Sequence, residues 1–480
     1  MDFKDKKVLV FGSGISGIGA CELLEKSGAT VILFDGNEKL HEEAIRMKLP
    51  SASNAVGACP VLYDGKADLD KESVLHKISG NYELPIYAGE LPKEVQESLD
   101  LVVLSPGVPT DLPVVEKMKA AGIRIWGEVE LAYENAKGDV LAITGTNGKT
   151  TTTSLLGEIM KCWKESVYVV GNIGNPYTQA APKMTEESVT VAEISSFQLE
   201  TIDQFHPKVS AILNITPDHL NRHHTMAEYI RVKELITKNQ TSEDTCVLNY
   251  EDPILRAFGE NLQIRVLFFS SERKLKQGLY LEDETIWYAD ESQKLAICKT
   301  QDLNIVGKHN YENVMAAAGM ALSYGVPLEK IQEAVKAFQA VEHRIEFVTE
   351  KSGVVYYNDS KGTNPDAAIK GIQAMSRPTL LIGGGYDKGS DYTEWIQSFD
   401  GKVKYLVLLG VTKEKIAETA RKCGFDNIIM TESLEEAVKV CAENAESGDA
   451  VLLSPACASW DMFPSYEVRG RRFKELVRNL

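Results

Sequence analysis

The sequence predicts an α/β protein whose parallel sheets are covered by helices, arranged as three successive βα series. Three observations predict it. Short apolar runs with strand character alternate with helix-spaced stretches along nearly the whole chain. The alternation restarts near residues 130 and 340, as expected for a 480-residue chain too long for one core. The second series opens with Val140-Leu-Ala-Ile143, then Thr144-Gly-Thr-Asn-Gly-Lys-Thr-Thr151, then a stretch with helical spacing, Thr153–Met160. A strand, a glycine loop and a helix beginning Lys149-Thr150 form a phosphate cradle: backbone N–H groups and a helix N-terminus face the anion. In such a cradle the Lys supplies charge and the Thr hydroxyl can hold Mg²⁺. The strict motif has glycine where this chain has Ile143, so the loop is a shortened variant.

Each element follows from its local pattern. The first series has strands at Lys7–Phe11 and Thr30–Phe34, joined through Gly12-Ser-Gly-Ile-Ser-Gly17. The polar stretch from about 37 to 98 reads as loops with an insertion, after which strands resume at 101–105 and 123–126. In the second series strands are expected at 167–170, 189–194 and 209–214, antiparallel hairpins across 279–298, and helices at 310–324 and 328–338. The third series begins near Ile345, with strands at 354–358, 379–382, 405–409 and 450–454.

Composition sets the class. The net charge of −17 argues against general nucleic-acid or anionic-membrane binding, so an anionic substrate must be met by local cations, metal or helix N-termini. Eight scattered cysteines without a C-x-x-C pair fit a reducing compartment. No apolar run is long enough for a membrane span, and the N-terminal run is too short for a signal peptide, so a cytoplasmic location is expected.

Several motifs carry chemistry. Gly12-x-Gly14-x-x-Gly17 with Asp35 at the end of the second strand has the form of a dinucleotide fingerprint. A dehydrogenase, a packing turn and another nucleotide diphosphate all fit it. Glu193 ends a buried strand downstream of the phosphate loop, where a Mg²⁺-binding acid belongs. Asp218-His219 is followed by His223 and His224, whose spacing fits no zinc pattern. One of the three histidines suits a second Mg²⁺ site, and the others are expected at the surface. Asn310 and Asn313 share a helix face and can bond a base edge, although an Asn at a helix start also serves as a cap. Arg344, at a series restart, is either a phosphate-reaching arginine or a surface charge. Three polar loops, Asn358–Pro365, Gly383–Gly389 and Leu453–Asp461, each follow a predicted strand and point to a binding cleft. Cys457 beside that cleft reads as a buried structural thiol rather than a reactive one.

In this order the motifs resemble the Mur ligase family of ATP-dependent amide-bond ligases, over essentially the whole chain. The residues that carry the likeness are Thr144–Thr150, Glu193-x-Ser-Ser-Phe-Gln-Leu-Glu200, Asp218-His219 and His309-Asn310-x-x-Asn313. The resemblance implies a Rossmann-like domain for a UDP-sugar (1–130), a central P-loop-type mononucleotide-binding ATPase domain (131–340) and a C-terminal Rossmann-like domain for an amino acid (341–480). Asn358-Asp-Ser-Lys-Gly-Thr-Asn364 and Ser454-Pro-Ala-Cys-Ala-Ser459 look like the members that join D-glutamate to UDP-N-acetylmuramoyl-L-alanine. Members that add a diaminoacid, and folylpolyglutamate synthases, carry an Asp-Tyr-Ala-His-type loop there instead.

The resemblance also implies residue roles. Gly145, Thr146, Asn147, Gly148, Lys149, Thr150 and Thr151 cradle ATP, with Asn310 and Asn313 at adenine and Arg344 and Asp359 engaging the nucleotide. Gly14, Ser16, Asp35, Gly107, Asn172 and His219 serve the UDP-sugar; where the family has Thr-Arg after the Asp, this chain has Gly36-Asn37. Thr363, Lys388, Ser459 and Tyr466 serve D-glutamate, Tyr466 standing where members often have Phe. Two Mg²⁺ ions are implied, on Thr150, Glu193, His219 and Lys233, with Lys233 carbamylated by CO₂. Lys149, Lys233, His219 and Glu193 form the catalytic set. A monomer is expected, and closure of the third domain is expected within the cycle. The rival readings are another amide ligase of the same family, a NAD-dependent dehydrogenase and a non-catalytic nucleotide switch.

Overall fold

The computed structural model describes residues 2–40, 84–173, 176–305, 307–339, 342–387 and 389–480. Of the sequence expectations, most of the insertion near 40–100 and Lys388 fall outside the described residues. The chain divides into two compact units: 1–144 with 164–246 and 263–265, and 145–163 with 247–262 and 266–480.

The first unit contains a five-stranded sheet of β1 (Lys7–Phe11), β2 (Thr30–Asp35), β3 (Ile86–Ala88), β4 (Leu101–Leu104) and β5 (Arg124–Gly127). Its order is β3-β2-β1-β4-β5, and every pairing is parallel. Val8, Leu9, Val10, Leu101 and Val102 are completely buried, as continuous apolar runs in a sheet covered on both faces must be. The strand order reverses between β1 and β4, which makes their C-terminal ends the crevice where such sheets bind ligands. The stretch expected to be loops holds β3 and the helical turn Lys93–Gln96. Three residues at a sheet edge are too few for a periodic signal.

The same unit contains β6 (Asp139–Thr144), β7 (Val167–Gly171), β8 (Val189–Glu193) and β9 (Val209–Ile212), all parallel, in the order β9-β6-β8-β7. One buried carboxylate ties its segments together. Glu130, in the helix Glu128–Asn135, accepts the backbone N–H groups of Asp203 and Gln204 at 2.7 Å each and of Phe205 at 3.1 Å. Burial pushes its carboxyl above the usual range, and these three donors pull it back. Glu130→Ala orphans three N–H groups at once and is expected to cost this unit about 3–5 kcal/mol. Denaturant unfolding checks the value, and a change within about 0.5 kcal/mol would contradict it.

The second unit begins with the helix Lys149–Lys161. Most residues of β10 (Thr245–Asn249) and β11 (Arg265–Ser270) lie in it. β12 (Gly278–Glu282), β13 (Thr285–Ala289) and β14 (Lys294–Lys299) form the expected antiparallel hairpins. The helix Lys308–Tyr324 packs on the helix Lys149–Lys161, and its Ala316-Ala-Ala-Gly319 run permits close approach to strands: a Cβ on Gly319 would lie 2.9 Å from Leu279. A six-stranded sheet follows, comprising β15 (Glu346–Lys351), β16 (Val354–Asn358), β17 (Thr379–Gly383), β18 (Val403–Leu408), β19 (Ile428–Met430) and β20 (Ala450–Leu453). Its order is β15-β16-β20-β17-β18-β19, parallel apart from the edge strand β15. β16, β20 and β17 are therefore neighbours, so the three polar loops read from the sequence emerge side by side.

Candidate active site

In the first unit the glycine turn has the form its spacing demands. Gly17 lies so close to the carbonyl oxygen of Gly12 that no Cβ fits between them, whereas nothing crowds Gly14 at the mouth of the turn. Asp35 closes the turn, accepting from Ser13 N at 3.0 Å, Ser13 Oγ at 2.6 Å and Asn37 N at 3.1 Å. Ser16 hydrogen-bonds the buried carboxyl of Glu128, whose pKa burial raises. β4 ends in Ser105-Pro-Gly107, and the Ser105 hydroxyl donates to Gly12 O at 3.3 Å. A small cleft opens there, lined among others by Ser105, Pro106, Glu128, Phe197 and Arg222.

Glu193 ends β8 fully buried. Its Oε1 accepts from Asn172 Nδ2 at 3.0 Å, and Oε2 has no hydrogen-bond partner among the described residues. A carboxylate oxygen buried in this condition fits a cation ligand. The motif after it is a helix start: Ser195 and Gln198 form a capping box on the turn Ser196–Leu199.

His219 takes a left-handed conformation (φ 52°), with its ring edge against Phe197 at 4.9 Å. His223, expected at the surface, is instead 2% exposed. Its ring lies 5.6 Å from Phe197 and 5.2 Å from Tyr229, while Nε2 bonds Ser196 Oγ at 2.9 Å and Nδ1 sits 3.2 Å from Glu200. Burial lowers its pKa, against the opposing pull of the Glu200 carboxylate beside Nδ1. His224 stays exposed beside Asp111. Lys233 is 1% exposed, with Nζ 4.7 Å from the centre of the Tyr229 ring. His219, Phe197, His223, Tyr229 and Lys233 thus form one continuous column. Arg222, held by Glu200 at 2.6 Å and by Val108 O at 3.0 Å, flanks it. Glu200 ends the motif that begins at Glu193 but receives no role from it, and Arg222 carries no motif of its own. No three His, Cys, Asp or Glu side chains converge in a metal-binding group among the described residues.

In the second unit Gly148 caps the phosphate-loop helix at φ 86°, a conformation costly for other residues. Lys149 Nζ donates to Gly145 O and Thr146 O, both at 2.8 Å. Thr150 and Thr151 are buried. Asn313 and Asn310 are buried and linked: Thr152 Oγ1 donates to Asn313 Oδ1 at 3.3 Å, and Asn313 Nδ2 donates to Asn310 Oδ1 at 3.1 Å. The two share a helix face, and part of their hydrogen-bonding capacity is spent on each other. His309 beside them is held neutral, its pKa lowered to about 3 by burial and by the charges of Lys370 and Arg344.

The loops of the six-stranded sheet also converge. Asp359 is buried, accepting from Ser454 Oγ at 2.7 Å and Ile345 N at 3.3 Å, with Arg344 acting on it electrostatically. Arg344 Nε is buried with no hydrogen-bond partner among the described residues. Tyr386 pairs with Ala458 through an isolated bridge, joining two of the loops. Ser459 is buried, and its hydroxyl has no hydrogen-bond partner among the described residues. Tyr466 starts the last helix, and its carbonyl accepts from Ser360 Oγ at 2.8 Å. Arg469 is 2% exposed and spans two loops by donating to Ser360 Oγ, Ser360 O and Cys457 O. Cys457 is buried against Tyr392 and Thr412, and burial pushes its thiol up, as a structural cysteine requires. Lys361, part of the Asn358–Asn364 motif but given no role of its own there, donates to Thr150 Oγ1 at 3.2 Å and lies 5.5 Å from the Tyr466 ring.

Burial raises the Asp359 pKa to about 7, against the opposing pull of Ser454 and Arg344. The folded protein therefore binds a proton that the unfolded chain releases above about pH 4. Stability from this group is full below about pH 4 and is lost as pH rises toward about 7. Asp359→Asn should flatten the stability profile between those values, measured by denaturant unfolding at several pH values; an unchanged slope would contradict the assignment.

The fold and the phosphate loop are those of a nucleotide-dependent ligase, and comparison with known proteins agrees. Residues 143–321 match the Mur ligase middle domain, and residues 343–457 match the glutamate ligase domain of Mur ligases. The chain is 56% identical over its full length to the UDP-N-acetylmuramoylalanine–D-glutamate ligase of Lachnoclostridium phytofermentans, covering 99% of that protein. It is 54% identical to the ligase of that name from Lachnospira eligens and 46% identical to that of Clostridioides difficile, both covered completely. Among solved structures, the UDP-N-acetylmuramate-alanine ligase of Thermotoga maritima shares the fold with a TM-score of 0.57 at 19% identity, over 99% of both chains. The MurF ligase of that organism, solved with ADP, gives 0.56 at 16%, over 100% of this chain and 97% of its own. The chain belongs to the Mur ligase family, and the relatives that match it from end to end are UDP-N-acetylmuramoylalanine–D-glutamate ligases.

Proposed function

We propose that this chain is an ATP-dependent ligase that adds D-glutamate to UDP-N-acetylmuramoyl-L-alanine in peptidoglycan precursor synthesis. The observation that carries the reading is full-length similarity to enzymes of that name.

The reaction has two steps. A carboxylate oxygen of the L-alanyl group attacks the γ-phosphorus of ATP; the new O–P bond forms as the bond to the bridging oxygen breaks, and ADP leaves with that electron pair. The amine of D-glutamate then attacks the acyl phosphate, a C–N bond forms, the amine loses a proton, and phosphate departs. Anions must approach one another, so neutralising charge is the main demand. Lys149 and the amides of Gly145–Gly148 hold the β- and γ-phosphates. Asn310 and Asn313 address adenine, and Arg344 and Asp359 engage the nucleotide. Gly14, Ser16, Asp35, Gly107 and Asn172 hold the UDP-sugar, while Thr363, Lys388, Ser459 and Tyr466 hold D-glutamate. Thr150, Glu193, His219 and carbamylated Lys233 each offer an atom of the type that would hold Mg²⁺, and two such ions would supply charge neutralisation at the transferred phosphoryl group. The unpartnered Glu193 Oε2 and Ser459 Oγ support these roles, since each is a buried oxygen still able to take a ligand. The protein acts as a cytoplasmic monomer. No helix of the described residues is long and apolar enough to cross a membrane.

The test is phosphate release with ATP and UDP-N-acetylmuramoyl-L-alanine against a panel of D- and L-amino acids. D-Glutamate should be the active acceptor. Release that depends on a dibasic amino acid, with D-glutamate inert, would overturn the reading.

A further inference from the structure

The phosphate loop is contacted by side chains from a segment more than two hundred residues away. Asn147 Nδ2 donates to the Asp366 carboxylate, and Lys361 Nζ donates to Thr150 Oγ1 at 3.2 Å. Thr363 lies between these two attachments, and all five residues belong to the second unit. We propose that Asp366 is a positioning residue that couples the phosphate loop to the loop holding D-glutamate.

Asp366 is well fixed for this task. Asn364 caps the helix Pro365–Gln373, its Oδ1 accepting from Ala367 N at 2.8 Å, and Pro365 opens the first turn. Asp366 therefore sits on a rigid first turn, where the helix dipole favours a carboxylate. Lys370 pairs with it one turn later at 3.5 Å. Lys370 in turn acts electrostatically on His309 and Glu312, in the helix that carries Asn310 and Asn313. A carboxylate is repelled by a triphosphate, so its use on this loop is to orient the Asn147 amide rather than to touch the nucleotide. The adenine face, the phosphate loop and the 361–366 segment are thereby joined in one polar chain.

The inference rests on the ligase reading, which phosphate release by the wild-type enzyme tests separately. Asp366→Ala should raise KM for both ATP and D-glutamate by about 5-fold or more, the size of a modest coupling between sites. ADP affinity, titrated directly without amino acid, should fall in parallel. Asp366→Asn keeps an oxygen that accepts from Asn147 and should stay near wild type. Lys370→Met removes the helix-side ion pair and a charge near His309 but leaves the Asn147 contact, so it should raise both KM values less than Asp366→Ala does. In a double-mutant cycle, Asn147→Ala combined with Asp366→Ala should be markedly non-additive for ADP affinity. If Asp366→Ala fails to fold, Asn147→Ala must by itself raise KM for D-glutamate. Unchanged KM values in Asp366→Ala, equal effects in Asp366→Asn or Lys370→Met, or an additive cycle would overturn the proposal.

Discussion

Lys149→Ala is expected to lower phosphate release by about 10²–10³-fold, the cost of removing one donor aimed at charge that develops in the transition state. The side chain starts the helix after the phosphate loop, with Nζ held at 2.8 Å from the carbonyls of Gly145 and Thr146. Two of its ammonium donors thus hold the side chain against the loop it serves. Lys149→Arg should restore little, because a planar guanidinium does not reproduce the compact ammonium held by two converging carbonyls. The loss should appear in kcat as well as in KM for ATP, because the cation acts on the transferred phosphoryl group and not only on ground-state binding. Steady-state assays with ATP varied at saturating UDP-sugar and D-glutamate decide it. A near-normal kcat would refute the role.

The parts of this fold that were legible in the sequence are those with a dense local signal. β1, β16 and the strand ends carrying Glu193 and Ser454 are continuous apolar runs in parallel sheets, and they stand within a residue or two of expectation. The edge strand β15 was not legible: Glu346–Lys351 is mostly half-buried and mixes Phe347 and Val348 with charged residues, so its pairing with β16 leaves no apolar run. The candidate site divides in the same way. The phosphate loop, Asp359 and Ser459 sit in glycine-rich or strand-end contexts that announce themselves. Lys361 on Thr150, Asp366 on Asn147 and Arg469 across two loops are tertiary contacts, and a pairing between distant segments leaves no local mark even where a partner sits in a motif. His223 failed for a related reason. Its burial depends on Phe197, Tyr229 and Glu200 arriving from other segments, which spacing alone does not reveal.

Lys233→Ala is the second large effect, and its distinguishing feature is rescue. Lys233 is among the largest fully buried side chains, with Nζ 4.7 Å from the centre of the Tyr229 ring, which His223 also approaches at 5.2 Å. An ammonium about 4 Å from a divalent cation would cost on the order of 8 kcal/mol at an effective dielectric of 20, so an unmodified lysine opposes a metal there. The carbamate reverses the sign. The amine nitrogen bonds the carbon of CO₂, one C=O electron pair moves to oxygen, a proton is lost, and an anionic oxygen ligand results. Only the neutral amine can make that attack, and removal from water favours neutral amines in general. Lys233→Ala should therefore lose about 10²–10³-fold in turnover, as a lost electrostatic contact in a dry site does. A short carboxylic acid supplied in solution should restore part of it by replacing the missing anion, and Lys233→Arg should not respond in the same way. A ¹³C signal from the wild-type protein under labelled CO₂, absent in Lys233→Ala, reads the modification without reference to activity. Full activity in CO₂-depleted buffer, with no labelled carbamate and no rescue by acid, would leave Lys233 as a packing residue of the Tyr229 column.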